Sequence, residues 1–178
     1  ALKGLEKNLD IDYNGSTRRY VATASKVKFT RFTHAMHAYF TLEFVCSTPF
    51  GVDTTSSTFV GSTVLTTTNV NTAVTVGGTA TQFPIITLTL NSFTGSGSRY
   101  ITISNPASSV AVTITRTWTA TDVVVIDTGA KTVTVNGTLV DYTGAFPSWD
   151  VGSYNINYAD SFSARNVTMT ATYTKRYL

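Results

Sequence analysis

The residues that could carry out chemistry in this 178-residue chain are few and scattered. His34 and His37 are three positions apart in HAMH, a spacing that would place both on one face of a helical turn and offer a metal pair. No CxxC, HExxH or dense carboxylate cluster accompanies them, so a histidine pair on a surface or a loop explains them more simply. The sequence therefore predicts no metal site and no cofactor.

The acidic residues do not form a catalytic pair that the sequence can identify. A glycosidase needs two carboxylates about 5–10 Å apart across a cleft, whereas the ten Asp and Glu residues are spread along the chain. Several of them resemble turn residues, namely Asp127, Asp141 and Asp150. No nucleophile, base and orienting group can be assigned together. We therefore expect no catalytic residues and no enzymatic activity, and a jelly-roll glycosidase is the less favoured alternative.

One set of aromatic residues is compatible with saccharide binding. Sugar-binding sandwiches place an aromatic ring against the apolar face of a pyranose and surround it with polar groups. The candidate ring residues are Trp118, Tyr142, Trp149, Tyr154 and Tyr158. The candidate polar residues are Asn155, Asn157 and Asp160. The alternative is that these aromatic residues belong to the core or to a subunit contact, since tryptophan is usually well buried.

The composition predicts that β-strands position these residues. Only 13% of the residues are charged, about half the usual share, whereas Thr, Val, Ile, Tyr and Phe are frequent and suit the half-buried surface of a sheet. Residues 1–31 carry seven Lys and Arg against three Asp and Glu, a balance of +4, whereas the rest of the chain carries −1 of the net charge of +3. A nucleic-acid-binding surface would need a basic stripe with interleaved aromatic residues. We see none and interpret the basic segment as a strand face or a subunit contact.

Alternation of apolar and polar residues predicts an all-β chain, an antiparallel β-sandwich of the jelly-roll kind. Turn signals recur every eight to twelve residues, and Asn136-Gly137 predicts a hairpin with a type I′ turn. Residues 2–9 are the one helix candidate, and residues 91–98 are predicted to form a loop. The Pro-, Gly- and Ser/Thr-containing segment 47–57 predicts a linker. We therefore expect an N-terminal strand appendage over residues 1–50 and a sandwich over residues 51–178.

Two further properties of the sequence concern disulfide formation and membrane insertion. Cys46 is the only cysteine, so no intrachain disulfide can form, and its place in an apolar strand pattern predicts a buried thiol. No segment approaches the roughly 20 consecutive apolar residues of a membrane span.

Two segments resemble the distal tail proteins of long, flexible-tailed phages, the siphophages. Residues 121–178 are similar to the C-terminal domain of that family, which has an apolar strand running into Asp, an Asn-Gly hairpin, a G-x-FP segment and an N-x-I strand. The matching residues are Val123–Asp127, Asn136-Gly137, Gly144–Gly152 and Asn155-Ile156. Residues 18–50, with FVCSTPF at positions 44–50, resemble the end of the family's N-terminal ring-forming domain.

The resemblance implies a galectin-like or carbohydrate-binding-module-like sandwich in a structural virion protein at the distal end of the tail. Such a baseplate component would link the tail tube to the host-adhesion apparatus by protein–protein assembly. The implied partners are tail-tube, hub and receptor-binding proteins, together with further copies of the chain in the hexameric ring of the full-length protein. The alternative is a carbohydrate-binding module that recognises host-surface saccharide. Family members usually have a further stretch before the point that matches Ala1, so we expect a fragment or a shortened form.

Overall fold

The computed structural model describes residues 5–31 and 38–178, and in these residues all regular secondary structure is β-strand. The first strands are β1 (Lys7–Tyr13), β2 (Ser16–Arg31), β3 (Ala38–Cys46) and β4 (Gly51–Asp53). The following strands are β5 (Ser57–Leu65), β6 (Val70–Val76), β7 (Ile85–Thr94), β8 (Ser98–Asn105), β9 (Val110–Thr117) and β10 (Val123–Asp127). The last strands are β11 (Thr132–Val135), β12 (Thr138–Leu139), β13 (Thr143–Gly144), β14 (Gly152–Asp160), β15 (Ala164–Tyr173) and β16 (Arg176–Tyr177).

The chain divides into two units. The N-terminal unit comprises the residues up to Thr54 together with Arg176–Leu178, and the second unit comprises Thr55–Lys175. In the N-terminal unit the strands form one sheet in the order β1-β2-β4-β16, with β3 also pairing with β2. The last residues belong to this unit because β16 pairs with β4, where Arg176 lies opposite Val52.

The second unit is a sandwich of two antiparallel sheets. The six-stranded sheet has the order β12-β11-β10-β7-β15-β5, and the five-stranded sheet has the order β13-β9-β8-β14-β6. Side chains of both sheets contribute to one core, which includes Ile86, Leu88, Val124 and Met169 of the six-stranded sheet and Ile101, Ile103, Val112 and Ile156 of the five-stranded sheet. The predicted all-β antiparallel sandwich is confirmed.

The alternation of apolar and polar residues along the strands determines which side chains form the core. In β7 the side chains of Ile86, Leu88 and Leu90 are fully buried, and the intervening Thr87 and Thr89 lie on the opposite face. The threonine-rich strand β15 is an interior strand that lies between β7 and the edge strand β5. Burial of its apolar face against the facing sheet stabilises the unit by roughly 25 cal/mol for each Å² of apolar surface removed from water.

The Asn136-Gly137 turn forms as predicted. Asn136 and Gly137 have φ angles of 51° and 80°, which the type I′ turn requires at both central positions. The turn joins β11 to β12, where Val135 lies opposite Thr138. The same dipeptide at Asn14-Gly15 joins β1 to β2 with Tyr13 opposite Ser16, although the sequence predicted only a break there.

Several local predictions are wrong. Within the described residues 5–9, the predicted helix is replaced by β1 from Lys7 onward, because pairing with β2 outweighs a weak helical spacing. Residues 2–4 of that prediction lie outside the described residues. The predicted loop at 91–98 begins only after Thr94, since residues 91–94 extend β7 along β15 and Phe93 stacks on Phe162 at 4.5 Å. Cys46 is exposed.

Candidate functional site

The N-terminal sheet exposes large apolar side chains on both faces of β3. Alternation along the strand places Phe40, Leu42 and Phe44 on one face and Tyr39 and Val45 on the other. All five are exposed, and Val45 leaves 56% of its side chain in contact with solvent. We name these five residues the β3 surface. The buried apolar side chains among the described residues of this unit are only those of Ala22 and Ala24.

One face of the sheet contains a small apolar hollow. It has a volume of about 150 Å³ and is lined by Leu5, Lys7, Asn8, Leu9, Ala22, Ala24 and Phe44. Phe44 lies opposite Ala24 in the β2–β3 ladder, so the small alanine side chain leaves room beside the phenyl ring. The hollow is therefore shaped to accept an apolar side chain from another protein surface.

Arg18 and Arg19 of this unit are held by residues of the same unit. Arg18 lies over the rings of Tyr13 and Tyr177, at 5.0 and 4.3 Å from their centroids. Arg19 donates two hydrogen bonds of 2.8 Å to the carboxylate of Asp10. This pairing lowers the pKa of Asp10, first through the hydrogen bonds and then through the charge of Arg19. These contacts use the basic side chains to order strands within the sheet.

Three of the five aromatic residues predicted to bind saccharide lie in the sandwich core. Trp149 and Tyr158 are fully buried and Trp118 is 6% exposed. The indole N–H groups donate to backbone carbonyls, from Trp149 to Asn155 at 3.1 Å and from Trp118 to Arg99 at 2.8 Å. Trp149 also packs edge-on against Phe59, with ring centroids 5.0 Å apart. These three rings therefore belong to the sandwich core, which is the alternative that the sequence left open.

Strand alternation also separates the polar candidates from the aromatic ones. In β14, Tyr154 and Tyr158 point towards the core, whereas Asn155 and Asn157 lie on the outer face. The amide of Asn157 donates to Asn69 and Asn71, at 3.1 and 2.9 Å. Tyr154 is half-buried against the core, so these side chains do not converge on one sugar-sized site.

Asp160 belongs to a buried ion pair. The Nε of Arg165 lies 2.8 Å from Oδ2 of Asp160, and both side chains are almost entirely shielded from solvent. Oδ1 of Asp160 accepts a hydrogen bond of 2.8 Å from the backbone N–H of Phe162. Burial, and then the nearby Asp160 carboxylate, raise the pKa of Tyr158. The ion pair of Asp160 with Arg165, together with the hydrogen bond from Phe162, fixes the turn between β14 and β15.

Tyr142 remains accessible, and it lies beside a polar groove. The groove has a volume of about 470 Å³ and is lined by Thr115, Arg116, Thr117, Leu139, Val140 and Asp141. Tyr142 follows Asp141, is 40% exposed and packs edge-on against Phe146 at 4.7 Å. The guanidinium of Arg116 lies 5.5 Å from the ring centroid of Trp118. The groove thus offers hydroxyl groups and charges of both signs next to one exposed ring.

Several acids have structural partners. Asp127 accepts hydrogen bonds from the backbone N–H groups of Gly129 and Ala130, at 3.0 and 2.8 Å, as a turn residue does. Asp150 accepts from the hydroxyl of Thr81 at 2.7 Å. In the described part of the chain no three His, Cys, Asp or Glu residues form a group that could hold a metal ion. His34 and His37 lie outside the described residues. No helix within residues 5–31 and 38–178 is long and apolar enough to cross a membrane.

Known proteins with the same fold and sequence pattern belong to phage tails. Residues 77–177 match the family described as siphovirus-type tail component, C-terminal domain. The crystal structure of the Dit protein (gp 19.1) of phage SPP1 superposes with a TM-score of 0.67 at 12% sequence identity, over 98% of this chain and 67% of that protein. It is described as a paradigm of the hub adsorption apparatus in phages that infect Gram-positive bacteria. No curated protein sequence matches the chain.

The fold and its surfaces define an all-β structural protein. The chain belongs to the family of siphovirus-type tail components, whose C-terminal domain it matches over more than half of its length. This confirms the resemblance to siphophage distal tail proteins and the predicted location in the virion, at the distal end of the tail.

Proposed function

We propose that this tail component links the tail tube to the host-adhesion apparatus and acts through protein–protein assembly. The observation that supports the proposal is the β3 surface, where one strand carries large apolar side chains on both faces. Contiguous exposed apolar residues on a soluble domain mark interaction surfaces. Among the described apolar side chains of this sheet only those of Ala22 and Ala24 are buried, so the sheet lacks the apolar core that a second layer provides.

The energetics favour an occupied β3 surface. Complete burial of a Phe, Leu or Val side chain contributes roughly 1.5–3 kcal/mol relative to exposure. Phe44 and Val45 lie on opposite faces of β3, so a partner that covers only one face would leave the other in water. We therefore propose contacts on both sides, with further copies of the chain on one and a tail-tube or hub protein on the other.

In this proposal residues 1–50 are the end of a ring-forming domain, and the full-length protein assembles as a hexameric ring. The sandwich, residues 51–178, faces the neighbouring adhesion proteins, the hub and the receptor-binding protein. Residues 55–175 carry five Lys and Arg, five Asp and no Glu. Depletion of charge is typical of surfaces that are covered in an assembly.

A matched pair of valines tests the role of the β3 surface. Val45 in β3 and Val64 in β5 are 56% and 57% exposed, so replacement of either by Ser removes a similar exposed apolar area. We expect Val45→Ser to weaken self-association in light scattering and co-purification with tail-tube and hub proteins, and Val64→Ser to leave both unchanged. Equal behaviour of the two variants, or a wild-type monomer that binds neither protein, would contradict the proposal.

The polar groove supports a second function, binding of a host-surface saccharide. Hydroxyl groups, Arg116 and Asp141 beside the exposed Tyr142 ring are the groups that orient a sugar. Of the predicted ring residues, Tyr142 is the one that this proposal retains as a stacking platform. Tyr100, which is 43% exposed in β8, provides a matched control.

Glycan-array binding measures this second function. We expect Tyr142→Ala to abolish saccharide binding and Tyr100→Ala to preserve it, with both variants folded by circular dichroism. Absence of binding by the wild-type protein to any host envelope polysaccharide would remove saccharide recognition and leave the assembly function untouched.

A further inference from the structure

Two turns of the protein have the same sequence and the same backbone. Asn14-Gly15 joins β1 to β2 with φ angles of 50° and 79°, and Asn136-Gly137 joins β11 to β12 with φ angles of 51° and 80°. A Cβ placed on either glycine would meet no atom within 4 Å, so both glycines are equally open. The two turns differ instead in the surroundings of their asparagine side chains.

The side chain of Asn136 is held at both ends of its amide. Its Oδ1 accepts a hydrogen bond of 2.9 Å from the backbone N–H of Val123, and its Nδ2 donates one of 2.8 Å to Oδ1 of Asp122. The backbone N–H of Asn136 also donates to the carbonyl of Val123 at 2.9 Å. Asp122 is 6% exposed and fixed in turn by the N–H of Thr119 at 2.8 Å. The amide of Asn136 therefore has a single orientation.

The side chain of Asn14 has no such support. It is exposed, and within the described residues its amide makes no hydrogen bond. Its neighbours in the loop leave Gly15 open to solvent. The amide is therefore free to rotate about its side-chain bonds, including towards the backbone nitrogen of Gly15.

We propose that Asn14 is a site of spontaneous deamidation and that the fold protects Asn136 from the same reaction. Asparagine is among the chemically labile residues, and a following glycine leaves the next backbone nitrogen unhindered. That nitrogen attacks Cγ of Asn14, the N–Cγ bond forms, and the Cγ–Nδ2 bond breaks. Ammonia leaves with the proton from the Gly15 nitrogen. Water then opens the cyclic imide at either carbonyl and yields aspartate or isoaspartate.

The product changes the N-terminal sheet in two ways. Each converted chain gains a negative charge in a unit that has eight Lys and Arg against five Asp and Glu. The isoaspartate product also adds one main-chain atom to a two-residue turn, whose length fixes the pairing of Tyr13 with Ser16. Conversion of Asn14 to isoaspartate therefore disturbs the pairing of β1 with β2 at the turn.

Peptide mapping of the full chain after incubation at mildly alkaline pH tests the proposal. Mass spectrometry gives the extent of amide-to-acid conversion at Asn14 and Asn136 in the same molecules. We expect conversion at Asn14 to be at least about tenfold faster, because two hydrogen bonds must break before the Asn136 amide can turn. In concentrated urea the two rates should converge, since the fold supplies the protection.

A variant sharpens the test. Asp122→Ala removes the acceptor of the Asn136 amide, so it should accelerate conversion at Asn136 and leave the rate at Asn14 unchanged. Should this variant fail to fold, the comparison of native and urea-treated wild-type protein still tests whether the fold protects Asn136. Equal native rates, a faster reaction at Asn136, or a rate difference that persists in urea would overturn the proposal.

Discussion

In the sandwich the inward-facing side chains of two sheets meet, whereas in the N-terminal unit one sheet carries apolar side chains on both faces. The strands of both units alternate in the same way: Phe40, Leu42 and Phe44 in β3 have the spacing of Ile86, Leu88 and Leu90 in β7. The three residues of β7 are fully buried and those of β3 are exposed. Alternation thus defines which residues share a face of the sheet. Whether that face is buried depends on a second layer that packs against it.

Charge differs between the units in a related way. The sandwich residues 55–175 have balanced charges, while the N-terminal unit holds the net charge of +3. The sandwich buries the Asp160–Arg165 pair, whereas the Asp10–Arg19 pair of the N-terminal sheet is well exposed. The sandwich therefore depends on its own interior, whereas we propose that the N-terminal sheet depends on partners that cover it in the assembled tail. Four predictions, with seven substitutions between them, would break or sharpen this contrast.

The largest difference is expected for aromatic residues at the centre of each unit. Trp149→Ala should lower the free energy of unfolding by about 4 kcal/mol, because it leaves a large cavity beside Phe59. Phe44→Ala in the isolated protein should change it by no more than about 0.5 kcal/mol, since the ring is already exposed. Urea denaturation measures the free energy of unfolding of both variants when it is followed by far-ultraviolet circular dichroism, a backbone signal that does not depend on Trp149. A large effect of Phe44→Ala would show that the N-terminal sheet has a core of its own.

The ion pairs should show the next largest difference. Arg165→Met leaves the buried Asp160 carboxylate without its partner and should destabilise the sandwich by about 3 kcal/mol. Asp10→Asn removes the exposed pair with Arg19 and should produce no resolvable change in the thermal midpoint. Comparable losses of stability in the two variants would contradict the difference in burial between the two ion pairs.

Two glycines in the left-handed region separate packing from backbone strain. Gly144 has a φ of 88°, and a Cβ there would collide with the carbonyl of Ala111, so Gly144→Ala should cost about 2 kcal/mol. Gly15 has a φ of 79° in open space, so Gly15→Ala should cost only about 1 kcal/mol, for the backbone alone. Differential scanning calorimetry provides both values, and the reverse order would contradict the close packing of β13 on β9.

The smallest effect is expected for Tyr158→Phe, and it depends on pH. The buried hydroxyl makes no hydrogen bond of normal geometry within the described chain, so at neutral pH stability should change by less than about 0.5 kcal/mol. Burial raises the pKa of Tyr158 above its ordinary value of 10.0. Its contribution is therefore fully present below that value and is lost as the pH rises towards the raised pKa.

In urea titrations at alkaline pH, the wild-type protein should lose more stability than Tyr158→Phe does. The two proteins share every ionisable group other than Tyr158, so the contributions of those groups cancel in the comparison. Parallel losses would mean that Tyr158 ionises in the folded state as readily as in the unfolded chain.

Much of the fold followed from patterns that act over a few residues. The alternation in β7 and β15 and the Asn136-Gly137 turn were predictable because side-chain direction and turn geometry are local properties. The helix predicted over residues 2–9 was wrong within the described residues 5–9, because the partner of β1 is β2, and pairing across a turn outweighs weak helical spacing. The exposure of Cys46 was also unpredictable, since a strand pattern does not reveal whether a second layer faces it.

The candidate sites depended more on tertiary structure. Trp149, Tyr158 and Trp118 had the composition of a sugar platform, yet the closing of the two sheets buries them. Tyr142 and the groove beside Arg116 and Asp141 come from separate segments, which the pairing of β13 with β9 holds near each other.

The sequence alone determined that the chain forms strands, which side chains share a face, and that it resembles siphophage distal tail proteins, because period, turn chemistry and motif spacing are written along the chain. Only the tertiary structure decided which of those faces is covered. Burial of a strand face depends on residues far apart in sequence that pack against it. The same alternation therefore produced a buried core in the sandwich and an exposed β3 surface in the N-terminal unit.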